Sequence, residues 1–244
     1  MEQTTKFIGF SNQKGGVGKT AITMVMASYC HNALGLKVGI LDCDFPQHSI
    51  YKQRQRETEL IKSDDNFKAA FIGLGRKAYA VEKSTPATGA EDMNKFLDIP
   101  ESERPYDLVF VDLPGTINSP GVLKTISELD HIFIPMIADD VVTSSSLEFA
   151  LLLSENVIAK PQLNLKSLYL FWNAVDKRES TQVYAETDEI IRKAGLQVLQ
   201  TQLENSLRFR KPEFRSTFFP LNPKYTKDSK IIPLVEEILE IVKK

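Results

Sequence analysis

The 244-residue chain contains only two cysteines, Cys30 and Cys43, one tryptophan and three histidines. Both cysteines sit inside apolar segments, so they read as small buried side chains rather than as a disulfide or a metal site. No apolar run approaches the roughly 20 residues of a membrane span. The polar opening Met1-Glu2-Gln3-Thr4-Thr5 leads directly into a strand pattern, with no leader-like segment. Repeats, low-complexity stretches and Gly/Ser-rich linkers are also missing, so one domain over residues 1–244 is expected, in a reducing cytoplasm. An excess of one charge is missing too. Thirty basic residues face 32 acidic ones, for a net charge of −2. At 42% hydrophobic and 25% charged residues, the composition is that of an ordinary globular protein with a sizeable core.

What is present is concentrated in Asn12-Gln13-Lys14-Gly15-Gly16-Val17-Gly18-Lys19-Thr20. Before it, Lys6-Phe7-Ile8-Gly9-Phe10 is a short strand-like run. After it, Ile22, Val25, Met26, Tyr29, Cys30 and Ala33 recur at helical steps. Glycines joining a strand to a helix N-terminus are the context a phosphate-binding loop requires. Without Cβ atoms, Gly15, Gly16 and Gly18 let the backbone wrap a phosphate chain, with Val17 and Ala21 flanking them. Their N–H groups and the helix dipole make an anion site. Lys19 would neutralise the β- and γ-phosphates, and the Thr20 hydroxyl would ligate Mg²⁺. The pattern G-x-x-x-x-G-K-[ST] fits only if Lys14 takes its first position. One small loop therefore carries two lysines.

Strand and helix patterns alternate along the rest of the chain. Strands are predicted at 37–41, 78–82, 106–111, 131–137 and 168–172, with helices near 89–98, 143–158, 182–195 and 233–242. Residues 62–77 and 205–230 read as the least regular parts. Near-continuous apolar strands imply burial on both faces, hence an α/β fold with a mostly parallel twisted sheet covered by helices on both faces. Ligands bind such sheets beyond the carboxyl ends of the strands, and the other polar motifs sit there. Asp42 and Asp44 alternate with Cys43 at the end of the second strand, so they point to one side. Asp112 and Gly115 end the strand Val109-Phe110-Val111, where Asp112 would hold Mg²⁺ and the Gly115 N–H could approach a γ-phosphate. Asn173 follows the late strand.

Lys-Gly-Gly-Val-Gly-Lys-Thr resembles the deviant Walker A loop of the ParA/MinD ATPases, a P-loop NTPase family, and the resemblance extends over nearly the whole chain. The short ParA-like proteins of plasmids and conjugative elements look most similar. The resemblance implies ATP and Mg²⁺ as ligands. Lys14 would reach across an ATP-bound homodimer to the partner's nucleotide. Asp44, at the second acidic position of Asp-x-Asp-Pro-Gln, would orient the attacking water. Asp42, at the first, would lie near the metal, and Asn173 would contact adenine. Two departures stand out: Ala21 replaces a second Thr common in relatives, and Phe45 is inserted before Pro46-Gln47. Asn173-x-x-Asp176 also resembles the guanine-reading pattern of GTPases, so the residues themselves leave GTP open. The longer loop at Phe45 likewise leaves open a nucleotide-binding adaptor without turnover. An iron–sulfur reductase on the same loop would need cysteines at a dimer seam, where neither Cys30 nor Cys43 is placed.

The charge is uneven. Residues 205–230 hold seven basic residues against two acidic ones, a local +5 on a remainder of −7. Such a segment suits a localised polyanion contact, although a solvated loop paired with the acidic body has the same composition. ParA-like dimers bind DNA without sequence preference through their C-terminal third, which nominates Arg208, Arg210, Lys211 and Arg215 here. No recognition-helix module precedes the first strand, so operator binding is not expected. The resemblance further implies slow ATP hydrolysis, a ParB-like activating partner and nucleoid association in a bacterial cytoplasm. The amphipathic tail from Ile231 carries three glutamates against two terminal lysines, which disfavours anionic lipid, so it is expected to pack on the protein body.

Overall fold

A computed structural model describes residues 5–100, 102–116, 119, 121–176, 178, 181–227 and 229–243, apart from the side chains of residues 208, 210, 212, 213 and 225. Strands and helices follow in the order β1 (Lys6–Phe10), α1 (Lys19–Asn32), β2 (Val38–Asp42), α2 (Ser49–Ser63), α3 (Asp65–Gly73), β3 (Ala80–Lys83), α4 (Gly89–Asp92), β4 (Leu108–Asp112), α5 (Val122–Ser127), β5 (His131–Met136), α6 (Asp140–Leu153), β6 (Ser167–Trp172), α7 (Thr181–Lys193), α8 (Pro223–Thr226) and α9 (Ile231–Val242). The strands form one parallel sheet in the order β3-β2-β4-β1-β5-β6. All six lie where the apolar runs placed them.

Alternation within these runs feeds two cores. Ile8, Phe10, Leu108 and Phe110 face one layer with α1 and α9. Phe7, Val109 and Val111 face the other with α5, α6 and α7. Both faces are apolar, which is why the strands read as continuous rather than alternating. Phe10 is fully buried among Phe110, Phe133 and Phe171. Burying such a side chain contributes about 1.5–3 kcal/mol. Cys30 and Cys43 are buried and unpaired, and burial pushes each thiol up to about 12. Helix α9 sets Ile231, Leu234, Val235, Ile238, Leu239 and Val242 into the first core, so the amphipathic tail packs on the body.

Three expectations need correction. Residues 62–77 are not irregular: they contain the whole of α3, N-capped by the Asp64 carboxylate, which accepts from Asn66 N and Phe67 N. None of its residues is buried. Its Phe67 and Phe71 rings instead meet Phe219 and Phe218 edge-on. Helix α2 was not foreseen, because it buries only Ile50 and Glu57 and shows no apolar stripe. Lastly, Asp140–Ile158 is, by length and composition, apolar enough to cross a membrane: 19 residues with mean hydropathy 1.2. Here it lies beside β5 and sets Phe149, Ala150, Leu153 and Val157 into the second core. The segment 205–230 has only short turns, Leu207–Arg210, Pro212–Arg215 and α8.

Candidate phosphate-binding site

Residues Ser11–Gly18 leave the carboxyl end of β1 and deliver the chain to the N-terminus of α1. The loop is anchored from below. Asn12, 1% exposed, donates from Nδ2 to the Pro135 carbonyl (2.8 Å) and to Ser146 Oγ (2.7 Å). Its Oδ1 accepts from Lys14 N (3.0 Å). Ser145 Oγ donates to Gln13 Oε1. β5 and α6 thus fix the loop through residues more than 120 positions away. Gly18 adopts φ +92°, and a Cβ there would stand 2.4 Å from Asn173 Nδ2. Only glycine satisfies both conditions.

The acidic side of the site comes from strand register. β2 and β4 pair Asp42 with Asp112, so two buried carboxylates end adjacent strands beside the loop. Thr20 Oγ1 donates to Asp112 Oδ2 (2.9 Å). Asp112 Oδ1 is buried with no partner among the described residues. Burial, reinforced by Asp42, raises the Asp112 pKa well above the ordinary carboxylate value. A buried carboxylate with one orphaned oxygen, bonded through the other to a hydroxyl, is a donor set that fits Mg²⁺. Asp42 has other duties. Its Oδ2 accepts from Ile50 N (3.1 Å) and Tyr51 N (3.0 Å) and caps α2, while its Oδ1 accepts from Asp44 N (3.2 Å).

The two loop lysines differ. Lys19 is 8% exposed, and its Nζ donates to the Lys14 carbonyl (3.2 Å). Burial lowers its pKa, opposed by the charges of Asp112 and Asp44. The Lys14 side chain is half-buried and has no partner among the described residues. Asp44 is half-buried, and its pKa is raised by burial and by Asp42, with Lys19 and His48 pulling it down. A Cβ on Gly115 would lie 3.4 Å from Lys19 Nζ and 3.5 Å from Gly15 N, so the turn after β4 touches the phosphate loop.

Residues 8–217 match the family model described as the CobQ/CobB/MinD/ParA nucleotide binding domain. The chain belongs to this family. No curated protein matches it by sequence. Among solved structures, it is similar to a putative plasmid partition protein of Borrelia burgdorferi bound to AMPPNP (20% identity, 98% of each chain, TM-score 0.58). It is also similar to pNOB8 ParA bound to nonspecific DNA (17% identity, 98% of this chain and 99% of that one, TM-score 0.60). A third is MinD of Pyrococcus horikoshii with Mg-ADP (16% identity, 99% and 97%, TM-score 0.58). At these identities the likeness concerns the fold.

Around this nucleotide-binding domain's loop, the structure gathers most of the residues singled out from the sequence: Lys14 to Ala21, Asp42, Asp44, Asp112, Gly115 and Asn173. Asn173 Nδ2 donates to the Val17 carbonyl (2.7 Å) at the mouth of a 270 Å³ cavity. Gly16, Gly18 and Ala21 line this cavity, together with Leu203–Ser206 and Phe209. Those last residues, like Asn12, carry no sequence signal, because only tertiary contact brings them to the loop. Asp176 lines a neighbouring cavity instead, and its carboxylate is held by Arg178 (3.0 and 2.5 Å), which lowers its pKa to about 2. Of the basic candidates, Lys211 is exposed, and Arg215 is half-buried in the wall of the Asn173 cavity. The side chains of Arg208 and Arg210 lie outside the described residues.

Proposed function

We propose that the chain is an ATP-dependent dimerisation switch of the ParA type. It hydrolyses ATP slowly and binds DNA without sequence preference, to partition or position DNA or another cargo. One observation carries the reading: the unequal state of two lysines on one loop. Lys19 is buried and engaged within its own subunit, whereas Lys14 stands beside it with no partner for its ammonium among the described residues. A triphosphate on the loop would meet Lys19 and the backbone N–H groups from one chain. Lys14 remains available to the nucleotide of a second copy, so nucleotide binding and pairing become one event.

Thr20 and Asp112 would hold Mg²⁺, with Asp42 adding its charge alongside and holding the loop to α2. The ion would supply charge neutralisation for the phosphates. Asp44, half-buried and within the field of Lys19, orients the water for in-line attack. The contact between Gly115 and the loop lets the turn after β4 respond to the γ-phosphate. Asn173 contributes the base contact. ATP rather than GTP is favoured because Asp176, the residue a guanine would require, faces another cavity and is occupied by Arg178. A ParB-like activator, the basic C-terminal segment on DNA, and a cytoplasmic, nucleoid-associated location complete the proposal.

The test is sizing by light scattering with ADP, with ATP, and with ATP on the Asp44→Ala protein. A dimer that persists only in the last case is expected, because pairing outlives the blocked hydrolysis step. Adding Lys14→Ala should return that protein to monomer while leaving ATP-analogue binding measurable. A dimer unaffected by Lys14→Ala would reject the switch and leave a plain nucleotide binder.

A further inference from the structure

A further polar cavity, of 430 Å³, shares Arg215 with the wall of the Asn173 cavity. It is lined by Thr20, Gln47, Lys52, Gln53, Arg56 and Arg215 among others. Its cationic wall is a built feature of α2. Lys52 and Arg56 are four residues apart and so share one helix face. Both are exposed, and neither has a carboxylate partner among the described residues. The acids that could neutralise them are committed elsewhere. Glu57 is buried and accepts from Thr217 N (2.8 Å) and Thr217 Oγ1 (2.5 Å). Glu59 pairs with Lys62 (2.8 Å). Two like charges on adjacent turns without a counterion are unfavourable in isolation, and an anion in the cavity relieves this.

Arg215 identifies the anion's source. It lines both this cavity and the base pocket, and it belongs to the segment whose local charge is +5. The cationic wall of α2 is therefore continuous with the basic C-terminal segment. Charge without a bidentate base-reading geometry suits a backbone phosphate. We propose that a DNA backbone phosphate seats in this cavity against Lys52, Arg56 and Arg215, so that DNA contact extends from the C-terminal segment onto α2, directly beside the metal-binding Thr20. The inference rests on the DNA-binding reading above and adds its location.

The test is fluorescence anisotropy of a labelled DNA duplex with the ATP-bound Asp44→Ala protein over a range of salt. Lys52→Gln/Arg56→Gln should weaken binding roughly tenfold near physiological salt and reduce the slope of log affinity against log salt by about 1–2. ATP-analogue affinity should not change. Lys160→Gln/Lys193→Gln, which removes the same charge outside the cavity, should leave the slope in place. An unchanged slope in the α2 double variant, with wild-type binding intact, overturns the inference alone. A loss of ATP-analogue affinity without a change in slope overturns it too and assigns the cavity to the nucleotide. If the unsubstituted protein binds no duplex in any nucleotide state, the DNA-binding reading itself fails and this site with it.

Discussion

Asn12→Ala should loosen the phosphate loop while every residue of the motif itself stays in place. The side chain is 1% exposed and makes three hydrogen bonds: to the Pro135 carbonyl, to Ser146 Oγ and from Lys14 N. Each such bond contributes about 0.5–1.5 kcal/mol net, so alanine should cost about 2–4 kcal/mol. With a urea dependence of about 3 kcal/mol per molar, the unfolding midpoint should fall by roughly 1 M. Freeing the backbone at Lys14 also returns about 1–2 kcal/mol of conformational entropy that ATP must then remove, so affinity for an ATP analogue should drop about tenfold. Asn12→Asp sharpens the test. It keeps the acceptor for Lys14 N but sets a carboxylate against the Pro135 carbonyl and against a serine hydroxyl already donating to the Val142 carbonyl. The expected order of stability at pH 7 is wild type, then alanine, then aspartate. Asn12→Ala within about 1 kcal/mol of wild type with unchanged nucleotide affinity, or Asn12→Asp as stable as wild type, would refute the anchoring role.

Two further outcomes follow from buried polar groups. His131 is buried beside Ser167 Oγ (2.7 Å), and burial lowers its pKa to about 4. The unfolded chain takes up this proton near pH 6.5, while the folded one resists until about 4. Stability should therefore fall as pH drops through that window, by roughly 3 kcal/mol at its lower end. His131→Gln should flatten this part of a stability–pH curve measured by urea unfolding; an unchanged curve would show that the histidine titrates freely. Glu57→Ala removes the acceptor for Thr217 beside Arg54, whose guanidinium donates to Thr217 Oγ1 (2.8 Å), to the Thr217 carbonyl (2.7 Å) and to the Tyr79 carbonyl (2.7 Å). Leaving the buried Thr217 N–H and hydroxyl without their charged acceptor should cost about 1–3 kcal/mol in thermal or urea unfolding, with Glu57→Gln less damaging. A loss below 1 kcal/mol would mean the cluster does not hold α2 to the C-terminal segment.

The sequence by itself determined the features whose physics is local. Three glycines and Lys19-Thr20 between a strand run and a helical period specify a phosphate loop, because backbone freedom and helix-terminal N–H groups act within a few residues. Runs such as Val109-Phe110-Val111 specify strands buried on both faces, because period and hydrophobicity suffice. Helix α2 was invisible for the same reason: it buries only Ile50 and Glu57, so nothing periodic marks it. Tertiary structure alone decided the site's working arrangement. The register that sets Asp42 against Asp112, the grip of Asn12 on β5 and α6, and the Asn173 bond to Val17 all join residues tens to more than a hundred positions apart. Such contacts exist only once the sheet has ordered its strands. They also distinguish Lys19, whose Nζ donates to the Lys14 carbonyl, from Lys14, whose side chain has no partner among the described residues: two identical side chains that only their surroundings tell apart.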